Sequence, residues 1–357
     1  MTSPTATATI AASRAPERLR PADPVLTANI YCNRRLNQLM QAAVAPFFRQ
    51  LEEEFPGAEI NLFRYGKCGE HLKVWIFGDD SLRDRARLLL ESHTAPFLAS
   101  ADADPRPEDP WISKSGLPPV DEEDESGEDY PNKTLVFSRY RRSPVLHGSG
   151  AYLGDDRHVR LFVATQAAGA RLTLEKLAPQ AGAESFFKHR QSLFLKVLIA
   201  GLSGLDFDRA GWMEFLGYHR DWLIRTVARF ADPGNTPETI LEDFETRAAA
   251  LAGTIPALSA HVEYGSRGEI LDRDPLLLAW RDSVARFFDH VKTYRGRPEY
   301  DQDCFTRDFA FLPLFKVFHG VANQFGYRLS HEAYVFHLLL AAARHGLEPG
   351  LAARSAA

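Results

Sequence analysis

Four charged side chains and a histidine crowd the stretch INLFRYGKCGEHLKVWIFG, residues 60–78: Arg64, Lys67, Glu70, Lys73 and His71. Residues 60–66 and 71–77 read as two strands around a tight GKCG connection. A strand alternates its side chains, so His71, Lys73 and Trp75 share one face while Leu72, Val74 and Ile76 pack on the other. Arg64, two strand positions before Gly66, is expected to join that stripe across the hairpin and to add a permanent charge with several N–H donors. Such a stripe can grip an anionic or amide group and set an aromatic surface beside it. The alternative is a sheet face whose polar side chains are simply hydrated.

A second set of candidates lies in FKVFHGVANQFG, residues 315–326, where His319, Asn323 and Gln324 interrupt an otherwise apolar helix. Buried polar groups are costly unless hydrogen-bonded, so the segment is either a satisfied core or part of a site. Ser283 and Tyr294, in and just after the preceding helix, are placed to face the same region. Tyr294 can give or take a proton, although a packing tyrosine at the surface is the plain alternative. Asp155 and Asp156 in LGDDRH, read as preceding a strand HVRLFVATQ, can orient a cation or an amide or can simply shape a turn.

Standard catalytic signatures are missing. The chain has no phosphate loop, no glycine-rich dinucleotide fingerprint and no nucleophile elbow. Three separated cysteines make neither a disulfide framework nor a zinc spacing, and His331 and His337, six apart, do not share a helical face. No metal is expected. The formal net charge of -5 gives no cause to expect nucleic-acid binding. No window approaches the roughly 18 apolar residues of a membrane span, and the reading is a cytoplasmic protein.

The elements that must position these residues follow the hydrophobic periodicity. After a tail over 1–23, rich in Ala, Thr and Pro and expected to be disordered, residues 24–32 read as a strand and 36–55 as a helix. The hairpin follows, then a helix capped by Ser81. Residues 101–132 hold the acidic run DEEDESGED among prolines and serines and are expected to form a mobile loop. A strand TLVFSRYRR comes next, and after Ala183 the pattern is helical to the end, with Ser330 and Glu332 read as a helix start. The fold class is therefore α+β: a small antiparallel sheet with flanking helices in the N-terminal half and a largely helical C-terminal half. Residues 24–357 are read as one domain.

The stretches FRYGKCGEHLKVWIF and FHGVANQFGYRLSHEAYVFHLL resemble two segments of the glutamate-elimination domain of class I lanthipeptide dehydratases. The first is similar to that domain's Arg-Tyr, linker, His-Leu-Arg-x-Arg strand pair, and the second to its His-x-x-x-Asn-Arg-Leu-Gly segment. ANIYCNRRLNQLMQAAVAPFFRQL and FSRYRRSPVLHGSGAYLGDD fit the same layout, so the likeness runs from about residue 24 to the C-terminus. No glutamylation domain precedes it, which implies a stand-alone version.

The departures point to a particular branch. Where the elimination strand has arginines this chain has Lys73 and Trp75, and the Arg that follows the Asn is Gln324. The cations that would hold a departing glutamate are depleted, whereas the thiopeptide pyridine synthases, stand-alone enzymes of this fold, need none. Their resemblance implies a lyase of antibiotic biosynthesis that joins two dehydroalanines of a leader-bearing precursor peptide. It implies no cofactor, a peptide partner rather than nucleic acid or membrane, and it allows a homodimer. On this likeness Tyr294 and His319 would transfer protons, and Ser283 and Gln324 would hydrogen-bond the reacting amide. Arg64, His71, Trp75, Asp155 and Asn323 would bind substrate, with the sheet and the C-terminal helices expected to enclose it together. A stand-alone glutamate-elimination enzyme is the other activity the resemblance allows.

Overall fold

The computed structural model describes residues 25–32, 35–65, 71–100, 133–139, 156–230, 236–269, 273–294 and 307–345. The tail, the GKCG connection, the acidic stretch 101–132 and Asp155 lie outside them. The chain divides into two compact units, Met1–Arg190 and Gln191–Ala357.

Four strands with apolar residues at every second position build the sheet of the first unit: β1 (Val25–Tyr31), β2 (Glu59–Tyr65), β3 (His71–Phe77) and β4 (Thr134–Arg139). Their order is β2-β3-β1-β4, all neighbours antiparallel. Ala28, Ile30, Leu62, Leu72, Val74, Ile76, Leu135 and Phe137 line one face, buried against helices α1 (Leu36–Leu39), α2 (Ala45–Glu54) and α3 (Asp80–Ser100). Between α1 and α2 the helix opens into a π turn, Met40–Val44, just before Pro46. Proline has no N–H to donate into the preceding turn and crowds the carbonyl there, which accounts for the widening.

Two local expectations are corrected. The segment HVRLFVATQ is not a strand: it lies within helix α4 (Asp156–Leu172), where His158, Phe162, Thr165, Gln166 and Ala170 are buried at helical spacing. Its apparent alternation is short and runs into AAGARL, which has helical but no strand character. Helix α3 is capped not by Ser81 but by Asp79, whose Oδ1 accepts the Leu82 N–H at 2.9 Å.

The second unit is helical throughout its described residues. Helix α5 (Phe186–Ser203) leads into α6 (Arg209–Phe230), α7 (Pro237–Ala250), α8 (Ile255–Gly265), α9 (Pro275–Lys292), α10 (Arg307–Gln324) and α11 (Leu329–Arg344). Helix α8, IPALSAHVEYG, falls within the run read as helical after Ala183. Helix α11 packs along α6 and against α8. At Gly201 of α5 an added Cβ would lie 2.7 Å from the Phe318 ring and 2.8 Å from Trp280 Nε1. A larger residue would force α5 away from α9 and α10, whose indole N–H reaches the Val197 carbonyl at 2.9 Å. Gly326, with φ +76°, takes the left-handed turn that ends α10 and starts the chain toward α11. Among the described residues no helix is long and apolar enough to cross a membrane.

Candidate active site

Helix α10 carries the most chemistry. His319, about a third exposed, places Nδ1 2.8 Å from Oε2 of Glu332 on α11. The other carboxylate oxygen of Glu332, Oε1, lies 2.8 Å from Nε2 of His219 on α6, and both Glu332 and His219 are fully buried. Three helices thus converge on one carboxylate. Burial opposes its ionisation, but electrostatic attraction to the two imidazoles and their hydrogen bonds outweigh burial and hold Glu332 below the usual carboxylate range. Burial pushes His219 down despite the carboxylate beside it, so its ring is neutral. The His219 ring stacks on Phe336 at 3.6 Å between centroids and 7° between planes, with Phe315 at 4.4 Å. Phe315 in turn lies nearly parallel to His319, at 5.6 Å and 12°.

One turn before His319, burial also pushes the Lys316 amine below the ordinary lysine range. It has no ion-pair partner among the described residues. Asn323 is partly exposed and Gln324 fully buried, near the end of the same helix.

Helix α9 supplies a second cluster. Tyr294 is not a surface packing residue: it is fully buried, with its hydroxyl 2.9 Å from His290 Nε2 one turn back. Ser283, also buried, accepts a hydrogen bond from Arg286 Nη2 at 3.1 Å. Helices α9 and α10 touch. Ser283 lies on α9 and Tyr294 two residues past its end, His319, Asn323 and Gln324 lie on the contacting helix α10, and Tyr294 and His319 are each held by their own histidine or carboxylate partner.

The sheet stripe is corrected in two respects. Its face is not hydrated: Thr27, Asn29, Tyr31, Asn61, His71, Lys73, Trp75 and Thr134 are all buried, and β3 is buried on both sides. Arg64 does not belong to it. The register pairs Arg64 with Leu72, whereas Phe63 opposes Lys73 and Asn61 opposes Trp75. Directly opposed residues share a face, so Arg64 lies on the helix-covered side, where its guanidinium donates to Asn37 Oδ1 at 2.6 Å. The stripe proper is aromatic: His71 lies 4.5 Å from the Tyr31 ring, and Trp75 lies 4.3 Å from Phe63 in a small cluster with Val25 and Phe77. Asp155 is outside the described residues.

Three residues of these clusters were missed in the sequence. His290 and Tyr294 stand four apart on α9, a legible helical pair. Glu332 was read as part of a helix start; its carboxylate is instead consumed by the two histidines, and Arg328 caps α11 with no side-chain bond. Its position in phase with the buried residues of EAYVFHLLL was the available signal. His219, flanked by apolar residues in FLGYHRDWLI, carried only the same kind of hint.

No family model matches this sequence, and no curated protein matches it. Solved structures do. The pyridine synthase TbtD from thiomuracin biosynthesis aligns over 91% of this chain and 99% of its own, with TM-score 0.62 and 14% identity. TsrL aligns over 93% and 98%, with TM-score 0.55 and 14% identity. The tRNA-dependent lantibiotic dehydratase MibB from Microbispora sp. 107891 aligns over 92% of this chain but 28% of its own, with TM-score 0.50 and 16% identity. The α+β class expected from the sequence is the one observed, and this chain has the fold that a pyridine synthase and part of a lantibiotic dehydratase share.

Proposed function

We propose that this chain is a pyridine synthase of thiopeptide type. It joins two dehydroalanines of a leader-bearing, azole-containing precursor peptide in a formal aza-cycloaddition. The adduct then loses water, and the leader leaves as its carboxamide, so that a pyridine closes the macrocycle. The sequence of bond changes is redox-neutral: two C–C bonds form, one between the dehydroalanine methylenes and one from the iminol carbon to the second α-carbon, the remaining double bond shifts to C=N, and the departures of water and of the leader amide aromatise the ring.

The observation that carries this reading is the buried hydrogen bond between Tyr294 and His290, 2.9 Å long, one helix away from His319. The reaction calls for proton transfers to and from groups of ordinary basicity, and a phenol held by an imidazole suits them. In the iminol form of one dehydroalanine amide, the proton has moved from nitrogen to oxygen; Ser283 and Gln324 are assigned the hydrogen bonds that favour that form. Tyr294 is assigned the protonation of the departing hydroxyl. His319 is assigned removal of the ring proton as the leader carboxamide leaves. Asn323 is assigned a substrate hydrogen bond beside His319.

The sheet unit is assigned substrate binding. Trp75, 8% exposed, and the buried rings around it are assigned the shaping of the wall against which planar azoles pack, and position 75 is an indole where glutamate elimination would use a cation. The likeness to TbtD, described as a pyridine synthase, agrees with this choice, while the likeness to MibB keeps glutamate elimination as the rival. Arg64 is retained only as a support of the sheet's helix-covered side.

The test is to incubate the purified protein with a linear, leader-bearing peptide that contains azoles and two dehydroalanines, adding no cofactor, and to follow products by mass spectrometry. A pyridine macrocycle and a leader carboxamide are expected. An unchanged peptide under conditions where the protein is folded would reject the proposal.

A further inference from the structure

His319 is the exposed end of a hydrogen-bonded row whose other members, Glu332 and His219, have no place in the chemistry assigned above. An ionised carboxylate only accepts hydrogen bonds, so both imidazoles must donate to Glu332. His319 does so through Nδ1 and His219 through Nε2. We infer that Glu332 is a positioning residue that locks His319 in the Nδ1–H tautomer, leaving the Nε2 lone pair as the proton acceptor offered to substrate, and that His219 anchors Glu332.

Two features of the packing fix the imidazole in both respects that matter. The carboxylate sets which nitrogen carries the proton, and Phe315, lying 12° from parallel, sets the plane of the ring. Because Nδ1 is bonded to a fully buried carboxylate, the partly exposed remainder of the ring is the Nε2 edge. His219 is an anchor and not a proton wire. It is fully buried and neutral, clamped on Phe336, and its Nδ1 has no hydrogen-bonding partner among the described residues to pass a proton to. The same logic places a carboxylate behind the histidine of hydrolase triads, where it holds the tautomer and does not itself take the proton.

The identity of the proton taken rests on the pyridine-synthase reading; the tautomer does not, and the experiment separates the two. Full-length protein labelled with ¹⁵N-histidine, its His319 signals assigned by their loss in His319→Gln, is measured by long-range ¹H–¹⁵N correlation above the ordinary imidazole titration range. The expected result is a protonated Nδ1 at His319 and a protonated Nε2 at His219. A protonated Nε2 at His319 overturns the inference whatever the protein catalyses. Glu332→Gln should mix the two tautomers of His319 and lower kcat for macrocycle formation by about 10²- to 10⁴-fold with KM little changed. Unchanged kcat in a folded Glu332→Gln protein also overturns it. If that variant does not fold, the wild-type tautomer decides. If the tautomers are as expected but no pyridine forms with wild-type protein, the functional reading fails and the positioning role stands.

Discussion

The two units bury polar groups in different ways. On the sheet, the buried polar face is built by register: His71, Lys73 and Trp75 come two apart from one strand, and their cross-strand neighbours include Tyr31 and Asn61. Among the helices, residues from α6, α10 and α11 meet at one carboxylate although His219 and Glu332 are 113 positions apart. The sheet face is dominated by rings that pack, while the helical cluster is dominated by groups that exchange or hold protons. The proposed function turns that contrast into a division of labour: binding is assigned to the sheet unit and proton transfer to the helical one. Variants in the helical unit should then move kcat and acid stability, and variants on the sheet should move KM.

The sharpest break of that comparison would come from Tyr294→Phe. It removes the phenol's proton and leaves the ring, so kcat should fall by about 10²- to 10⁴-fold while KM holds, read from initial rates of macrocycle formation. A change confined to KM would erase the distinction between the units. Next in size is Glu332→Ala, which strands two imidazoles around a buried void. A buried donor left without its acceptor costs about 1–3 kcal/mol, seen as a lower urea midpoint.

Acid should act on the helical unit in the same direction. His337 on α11 is pushed down to about 4 by burial and by Arg220 and Arg344, against the pull of Asp221. The unfolded chain, with histidine near its ordinary 6.5, binds more protons between those values. Stability therefore falls as pH drops from 6.5 toward 4, by at most about 3 kcal/mol from this residue, and neutral His219 adds to the loss. Glu332, held low, contributes stability that is present above the carboxylate range and disappears only at still lower pH. In the sheet unit Glu59 is pushed up by burial, which makes acid favourable there. Urea midpoints at pH 7 and pH 5 test the sum, and His337→Leu should flatten the slope. The smallest effect expected is from Trp75→Phe. With aromatic pairs worth about 0.5–1.5 kcal/mol, KM should rise up to about tenfold with kcat intact.

Much of the fold could be read from the sequence because its signals are local. Strand alternation placed β1 to β3, and the helical period placed the run of helices after Ala183. HVRLFVATQ misled because a few residues of alternation fit a strand and an amphipathic helix equally well, and the neighbouring alanines decide. Arg64 misled for a geometric reason. A one-residue difference in hairpin register moves a side chain to the opposite face, and the residues GKCG do not by themselves state the register. Tyr294 and His319 were legible as polar residues on apolar helices. Their partners differ: His290 is one turn away on the same helix, but Glu332 and His219 become partners only once three helices are packed, which no local pattern encodes.

Competition in one vessel separates cycloaddition from glutamate elimination. Wild-type protein is offered equal amounts of two leader-bearing peptides, one azole-containing with two dehydroalanines and one carrying a glutamylated serine, and both conversions are timed by mass spectrometry. The account predicts that the first peptide becomes a pyridine macrocycle with release of its leader carboxamide while the glutamylated peptide persists. Conversion of the glutamylated peptide to its dehydrated form, with the first peptide left linear, would contradict it.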